Sequence, residues 1–67
     1  MHYIIRTMYG KKYAIDNINS IQDLENKVFE ETKIPPNKQR LLFNGKLVTD
    51  LPKNNSILYL VFKLIGG

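Results

Sequence analysis

The chain has 67 residues, of which 43% are apolar and 24% charged, with a net charge of +4, a pI near 9.5 and no cysteine. Such a length supports one domain with a core near the lower limit for unaided folding, because so short a chain buries only about 60% of its unfolded surface. The composition excludes a disulfide scaffold, a thiolate metal site and a cysteine nucleophile, and the longest apolar run, residues 57–62, is far too short to cross a bilayer.

Met1 leads directly into a strand pattern without a basic, apolar leader, so a soluble and non-secreted protein is expected. The ten basic residues are spread from Arg6 to Lys63, with Lys11-Lys12 the only adjacent pair. Nucleic-acid binders concentrate such charge on a stripe and interleave it with aromatic residues. The basic balance is therefore read as solubilising surface charge.

Residues 2–7 alternate, Tyr3 and Ile5 on one face and Ile4 and Arg6 on the other, which predicts a half-buried strand. A turn follows over residues 8–11, where Gly10 takes positive φ at little cost. Tyr13 and Ile15 resume the alternation and complete a hairpin. After Asn19 the period changes: Ser20 with Asp23 three residues on resembles a capping box, and Ile21, Leu24 and Val28 lie on one helical stripe. Pro35 and Pro36 end that helix, and with no glycine before Ile34, Thr32 or Lys33 must close it less favourably.

Residues 40–43 form the third predicted strand, Asn44-Gly45 a type I′ hairpin turn, and residues 46–48 a short fourth strand. Residues 49–56 read as a loop anchored by Leu51, and residues 57–63 as the last and most apolar strand. The order ββαβββ predicts an α+β fold, with one helix packed on one face of a mixed sheet. Period two then assigns Leu41, Phe43, Leu58, Leu60 and Phe62 to the core and Leu42, Tyr59 and Val61 to the other face, with Met8 alongside from the turn. Three large side chains on an uncovered face are either a binding patch or ordinary exposed surface.

Catalytic chemistry has little support. His2 is the single histidine and reads as a surface residue, and adjacent helical carboxylates such as Glu30 and Glu31 diverge by about 100°. No glycine-rich phosphate loop is present, and no nucleophile is set beside a base. A non-enzyme without a cofactor or metal is expected. The terminal Gly66-Gly67 places a carboxylate beyond two residues that lack a β-carbon, so it can be threaded through a narrow channel and attacked with little hindrance. A primary amine is its natural partner; most of the eight lysines read as solvated surface, and Lys46, just after the Asn44-Gly45 turn, should stand out into solvent.

The run Ile34-Pro35-Pro36-Asn37-Lys38-Gln39-Arg40-Leu41-Leu42-Phe43-Asn44-Gly45-Lys46, the start at residues 1–11 and the end at residues 58–67 resemble the ubiquitin family closely, and with two short gaps the resemblance covers the whole chain. It implies the β-grasp fold, with residues 1–62 as the domain and 63–67 as a flexible conjugation tail. It also implies that the carboxylate of Gly66-Gly67 is activated by an enzyme that uses ATP, passed to cysteines as a thioester and joined to a lysine amine.

Met8, Leu42 and Val61, with Tyr59 in place of a histidine, match the family's main recognition patch. Ile34, Phe62 and Leu64 match its second apolar surface. Lys11, Lys27 and Lys46 match lysines that accept further modifiers, and Met1 offers an amine for linear linkage. Arg40, Lys63 and Ile65 fall where activating enzymes and proteases recognise the family, which has arginine at the last two positions; arginine and lysine are not interchangeable where bidentate contacts are made.

Other family lysines appear as Arg6, Glu25, Glu31 and Asn54. Two residues are missing before the helix and about seven between Asp50 and Ser56, where the family has a loop with a buried leucine and a structural tyrosine, so lower stability is expected.

The implied partners are activating, conjugating and ligating enzymes, deconjugating proteases, ubiquitin-binding proteins and target lysines, with no membrane partner. A monomer in the cytoplasm and/or nucleus is expected. A non-conjugated binding module or decoy, or a structural variant with a vestigial tail, would use the same fold. The two terminal glycines favour a conjugated modifier, since a pure binding module has no need of them.

Overall fold

The computed structural model describes residues 1–61. Phe62, assigned above to the core, and the tail 63–67 lie outside the described residues. Strands β1 (Tyr3–Thr7) and β2 (Lys12–Ile15) precede helix α1 (Ile21–Thr32), and β3 (Arg40–Phe43), β4 (Lys46–Leu47) and β5 (Ser56–Val61) follow it. The five strands form one sheet in the order β2-β1-β5-β3-β4. Only β1 and β5 run parallel; the other pairs are antiparallel. This is the mixed sheet with one helix on it that the strand order predicts.

The two periodicities of the sequence decide which side chains meet. On β5, Ser56, Leu58 and Leu60 are buried while Ile57, Tyr59 and Val61 are exposed, a strict alternation. Leu58 and Leu60 join Tyr3, Ile5, Ile15, Leu24, Val28 and Leu41 in the core. Ile18 also belongs there, fully buried after β2, although no periodic pattern marks it. It is fixed by its backbone: its carbonyl accepts from the Met1 amine at 2.8 Å and its N–H donates to the Met1 carbonyl.

Local chemistry sets the connections. The β1–β2 turn uses Gly10 at φ +83°. The β3–β4 turn has Asn44 and Gly45 both at positive φ, as a type I′ hairpin demands. At the start of α1, the Ser20 hydroxyl accepts from the Asp23 N–H at 3.1 Å while the Asp23 carboxylate accepts from the Asn19 N–H at 3.0 Å. Lys33 closes the helix in the left-handed region at φ 64°, its N–H bonded to the Phe29 carbonyl, a conformation glycine adopts more cheaply. Ser20→Ala is expected to lower stability by about 1 kcal/mol and Ser20→Gly by only a few tenths, measured as the shift in urea midpoint.

Several sequence expectations are corrected. β1 begins at Tyr3, not at residue 2, because the backbone on both sides of His2 is tied to the β4–β5 loop: the His2 N–H donates to Asn54 and the His2 carbonyl accepts from Asn55. Val48 keeps one bond, N–H to the Leu41 carbonyl, but the chain leaves the ladder there and β4 ends at Leu47. β5 starts one residue early, at Ser56, whose hydroxyl donates to the Lys53 carbonyl. Pro36–Lys38 form a short 3₁₀ turn, begun by proline geometry and absent from the predicted elements. Phe43 is half-buried and packs against the core from its margin, since β3 ends there at the turn. No helix of the described residues is long and apolar enough to cross a membrane.

Candidate partner-binding face

Helix α1 covers one side of the sheet, and on the other the pairing lines up side chains from all five strands. Lys12 lies opposite Arg6, Arg6 opposite Tyr59, Tyr59 opposite Leu42 and Leu42 opposite Leu47, so these five residues form one row across the sheet. A second row runs Ala14, Ile4, Ile57. Beyond the first row, Arg40 lies opposite Val61. Met8 follows Thr7, whose partner Leu60 precedes Val61, so the turn delivers it to the same end of the sheet.

The face brings together Leu42 and Tyr59 of the first row and Val61 just beyond it, with Met8 at the same end of the sheet. Leu42 is half-buried, whereas Tyr59 is 48% and Val61 38% exposed. Leu47 at 53% and Ile57 at 48% extend the apolar area along both rows. Leu47 was within reach of sequence reasoning, because a two-residue turn at Asn44-Gly45 fixes Phe43 opposite Lys46 and hence Leu42 opposite Leu47. Ile57 shares the parity of Tyr59 and was equally legible.

Arg6 was not. Its guanidinium stands 5.8 Å from the centre of the Tyr59 ring, a cation–π contact worth about 0.5–1 kcal/mol at an exposed site. Only the parallel pairing of β1 with β5 makes them neighbours. The charged strand residues of this face are Arg6, Lys12 and Arg40, all positive, while four of the chain's acids, Asp23, Glu25, Glu30 and Glu31, ride on α1 across the sheet. The result is an apolar centre with a basic rim.

The lysines occupy separate surfaces. Lys11 is exposed at the β1–β2 turn, where its N–H donates to the Thr7 hydroxyl at 3.2 Å. Lys46 is exposed on β4 and shares the inner parity of Phe43. Lys27 lies on α1 with its ammonium 3.6 Å from Glu30, a surface pair too weak to hold the amine out of reach. The Met1 amine is engaged by the Ile18 carbonyl. Ile34 is half-buried against the core, so it offers part of its side chain to solvent. Its companions Phe62 and Leu64, together with Lys63, Ile65, Gly66 and Gly67, lie outside the described residues.

The segment between β4 and β5 shows how a short loop is held without the family's loop tyrosine. The Tyr3 hydroxyl, from β1, donates to the Pro52 carbonyl at 2.5 Å in the buried interior. Burial pushes the Tyr3 hydroxyl pKa above the ordinary tyrosine value. Leu51 packs against the core beside it, as expected of the loop's anchor.

Sequence comparison places the chain among known proteins. The family model described as the ubiquitin family matches residues 4–64. A ubiquitin-like protein NEDD8 from Dictyostelium discoideum is 38% identical over 72 positions, covering 94% of this chain and 94% of the relative. Ubiquitin-like protein 1 from Schizosaccharomyces pombe is 34% identical over 73 positions, covering 94% and 92%. Both alignments are longer than this 67-residue chain, so the relatives hold residues that it lacks.

Proposed function

The chain belongs to the ubiquitin family, and from that premise we propose that it is a conjugated protein modifier, joined through the Gly67 carboxylate to lysine amines of target proteins. The observation that supports conjugation is the terminal Gly66-Gly67, and the one that supports recognition is the uncovered sheet face. A folded module with an apolar centre of Leu42, Tyr59 and Val61, flanked by Met8 and rimmed by Arg6 and Arg40, is built to be recognised after attachment. Exposed apolar patches of this kind mark binding surfaces.

The chemistry is that of acyl transfer. An activating enzyme joins the Gly67 carboxylate to the AMP portion of ATP and releases pyrophosphate. An enzyme thiol displaces AMP to give a thioester, and a target lysine amine displaces the thiol to give an isopeptide bond. Glycine at both final positions leaves the carbonyl open to each attacking group. The chain holds no cofactor in this scheme, since ATP is consumed by the activating enzyme; it is the substrate of enzymes and not one itself. Lys63, Ile65 and Arg40 select which activating enzymes and proteases accept it. Lys46 and Lys11, both exposed, and Lys27 are the acceptors for further copies. It acts as a monomer, in the cytoplasm and/or nucleus.

Incubation with a cognate activating enzyme, ATP and magnesium is expected to give a thiol-sensitive adduct that deletion of Gly67 abolishes. No adduct with any cognate enzyme would sink the proposal and leave a non-conjugated binding module. For the patch, Leu42→Ala is expected to weaken partner binding about tenfold or more, as for a central anchor, while costing less stability than a core truncation. A collapse in stability with unchanged affinity per folded molecule would make Leu42 a structural residue.

A further inference from the structure

Among the described residues β4 is an edge strand of the sheet with no neighbour on its outer side, and next to it lies a cavity of about 150 Å³ lined by Ile21, Leu24, Glu25, Gln39, Leu41, Leu47 and Val48. Its floor is fixed. Leu24 and Leu41 are core residues, and the Gln39 side-chain amide donates to both the Glu25 and Ile34 carbonyls, at 3.1 and 2.8 Å, which holds the strand side of the cavity at a set distance from α1. The cavity walls are mixed, with the aliphatic Ile21, Leu24, Leu41, Leu47 and Val48 beside Glu25 and Gln39, and a volume of this size takes one side chain.

The backbone beside it is open. The Val48 N–H bonds to the Leu41 carbonyl, so Leu41 and Val48 are a hydrogen-bonded pair, and by alternation Leu42 and Leu47 are not. The N–H and carbonyl of Leu47 therefore point away from β3, toward the unoccupied edge. The rim supplies a charge. Glu25 lines the cavity, and among the described residues no cation is paired with its carboxylate.

From these three features the geometry points to a peptide groove between β4 and α1. Its occupant is an extended segment of a partner protein that adds a strand beside β4. One aliphatic side chain enters the cavity, and a lysine or arginine two positions away, on the same side of that strand, meets Glu25. Strand addition of this type takes affinity from the main chain and specificity from pockets for alternate side chains. Apart from Leu47, the lining of the groove is separate from the apolar face on the other side of the sheet.

The test titrates the isotopically labelled full chain with the capped peptide Lys-Thr-Leu-Thr-Lys and follows backbone amide shifts. Saturable shifts at Leu47, Val48 and the first two turns of α1 are expected, with the Leu47 amide becoming protected from exchange. Replacing the peptide leucine by serine should abolish them, and Glu25→Lys should weaken binding about two- to fivefold, the range of an exposed ion pair. Val48→Phe, which fills the cavity, should abolish binding in a folded protein. Should that variant unfold, Glu25→Lys and the peptide controls still decide. Leu42→Ala should leave this binding intact, which separates the groove from the proposed recognition patch. The assignment is overturned if the peptide gives no saturable shifts, if the shifts map to Leu42, Tyr59 and Val61, if a peptide with both lysines changed to glutamate binds equally well, or if the same residues shift with protein concentration alone, which would make a second copy the occupant.

Discussion

Leu58→Ala is expected to lower the stability of the domain by about 2–5 kcal/mol, a large share of what so short a chain holds. Leu58 is 0% exposed and lies at the middle of β5, where it is opposite Ile5 of β1 and next to Leu60 in the core alternation. Truncating a buried leucine costs about 2–5 kcal/mol, the lost transfer energy plus the cavity left behind. A chain of this length has roughly 3–10 kcal/mol to lose. β5 is flanked on both sides by β1 and β3, so a cavity there cannot be closed by the movement of an edge strand. Urea unfolding followed by circular dichroism measures the effect, with an expected fall in midpoint of about 2 M or more if the slope is near 1 kcal/mol/M. Ile57→Ala, one residue away and on the opposite face, should cost less than about 0.5 kcal/mol. Equal effects at the two positions would refute the face assignment.

Tyr3→Phe is expected to lower stability by about 1–3 kcal/mol at neutral pH and to remove part of its alkaline dependence. A hydroxyl has one proton to give, and the Pro52 carbonyl at 2.5 Å receives it; Met1 Sδ at 3.1 Å is the poorer acceptor. Phenylalanine keeps the packing but leaves a carbonyl in the interior without its donor, and such a group loses its desolvation energy uncompensated.

Burial raises the pKa of the Tyr3 hydroxyl, so the folded state binds that proton more tightly than the unfolded state does. The stability linked to it is fully present below the unfolded pKa, about 10. It is lost as pH rises through the higher folded value. Wild type should therefore lose more stability than Tyr3→Phe as pH rises above about 10, and the gap between the two curves should narrow. Parallel curves would mean that the proton is not held by the fold. Both proteins share every other side chain, so the difference isolates residue 3.

The local features were readable because each depends on residues close in the chain. Positive φ at Gly10 and at Asn44-Gly45, the Ser20 and Asp23 cap, and the burial of Leu24 and Val28 all follow from short-range sterics and helical spacing. Phe43, Val48 and His2 were assigned to interior or strand positions they do not fully occupy. The pattern identifies a strand's face, but its last residue is decided by what the neighbouring chain can still reach. Ile18 shows the reverse case: no period marks it, and only the backbone tie to Met1 carries it into the core.

The sequence by itself determined the element order, the side of each strand that is apolar, and the residues Leu42, Tyr59 and Val61 on the uncovered face, because period two is a property of the backbone and needs no partner. Tertiary structure alone decided who stands beside whom. The parallel insertion of β5 between β1 and β3 put Arg6 on Tyr59 and completed the row from Lys12 to Leu47, and the short β4–β5 loop was held by a hydroxyl from β1. Pairings across some 50 residues of chain depend on which strands come together at folding, and no local spacing records that choice.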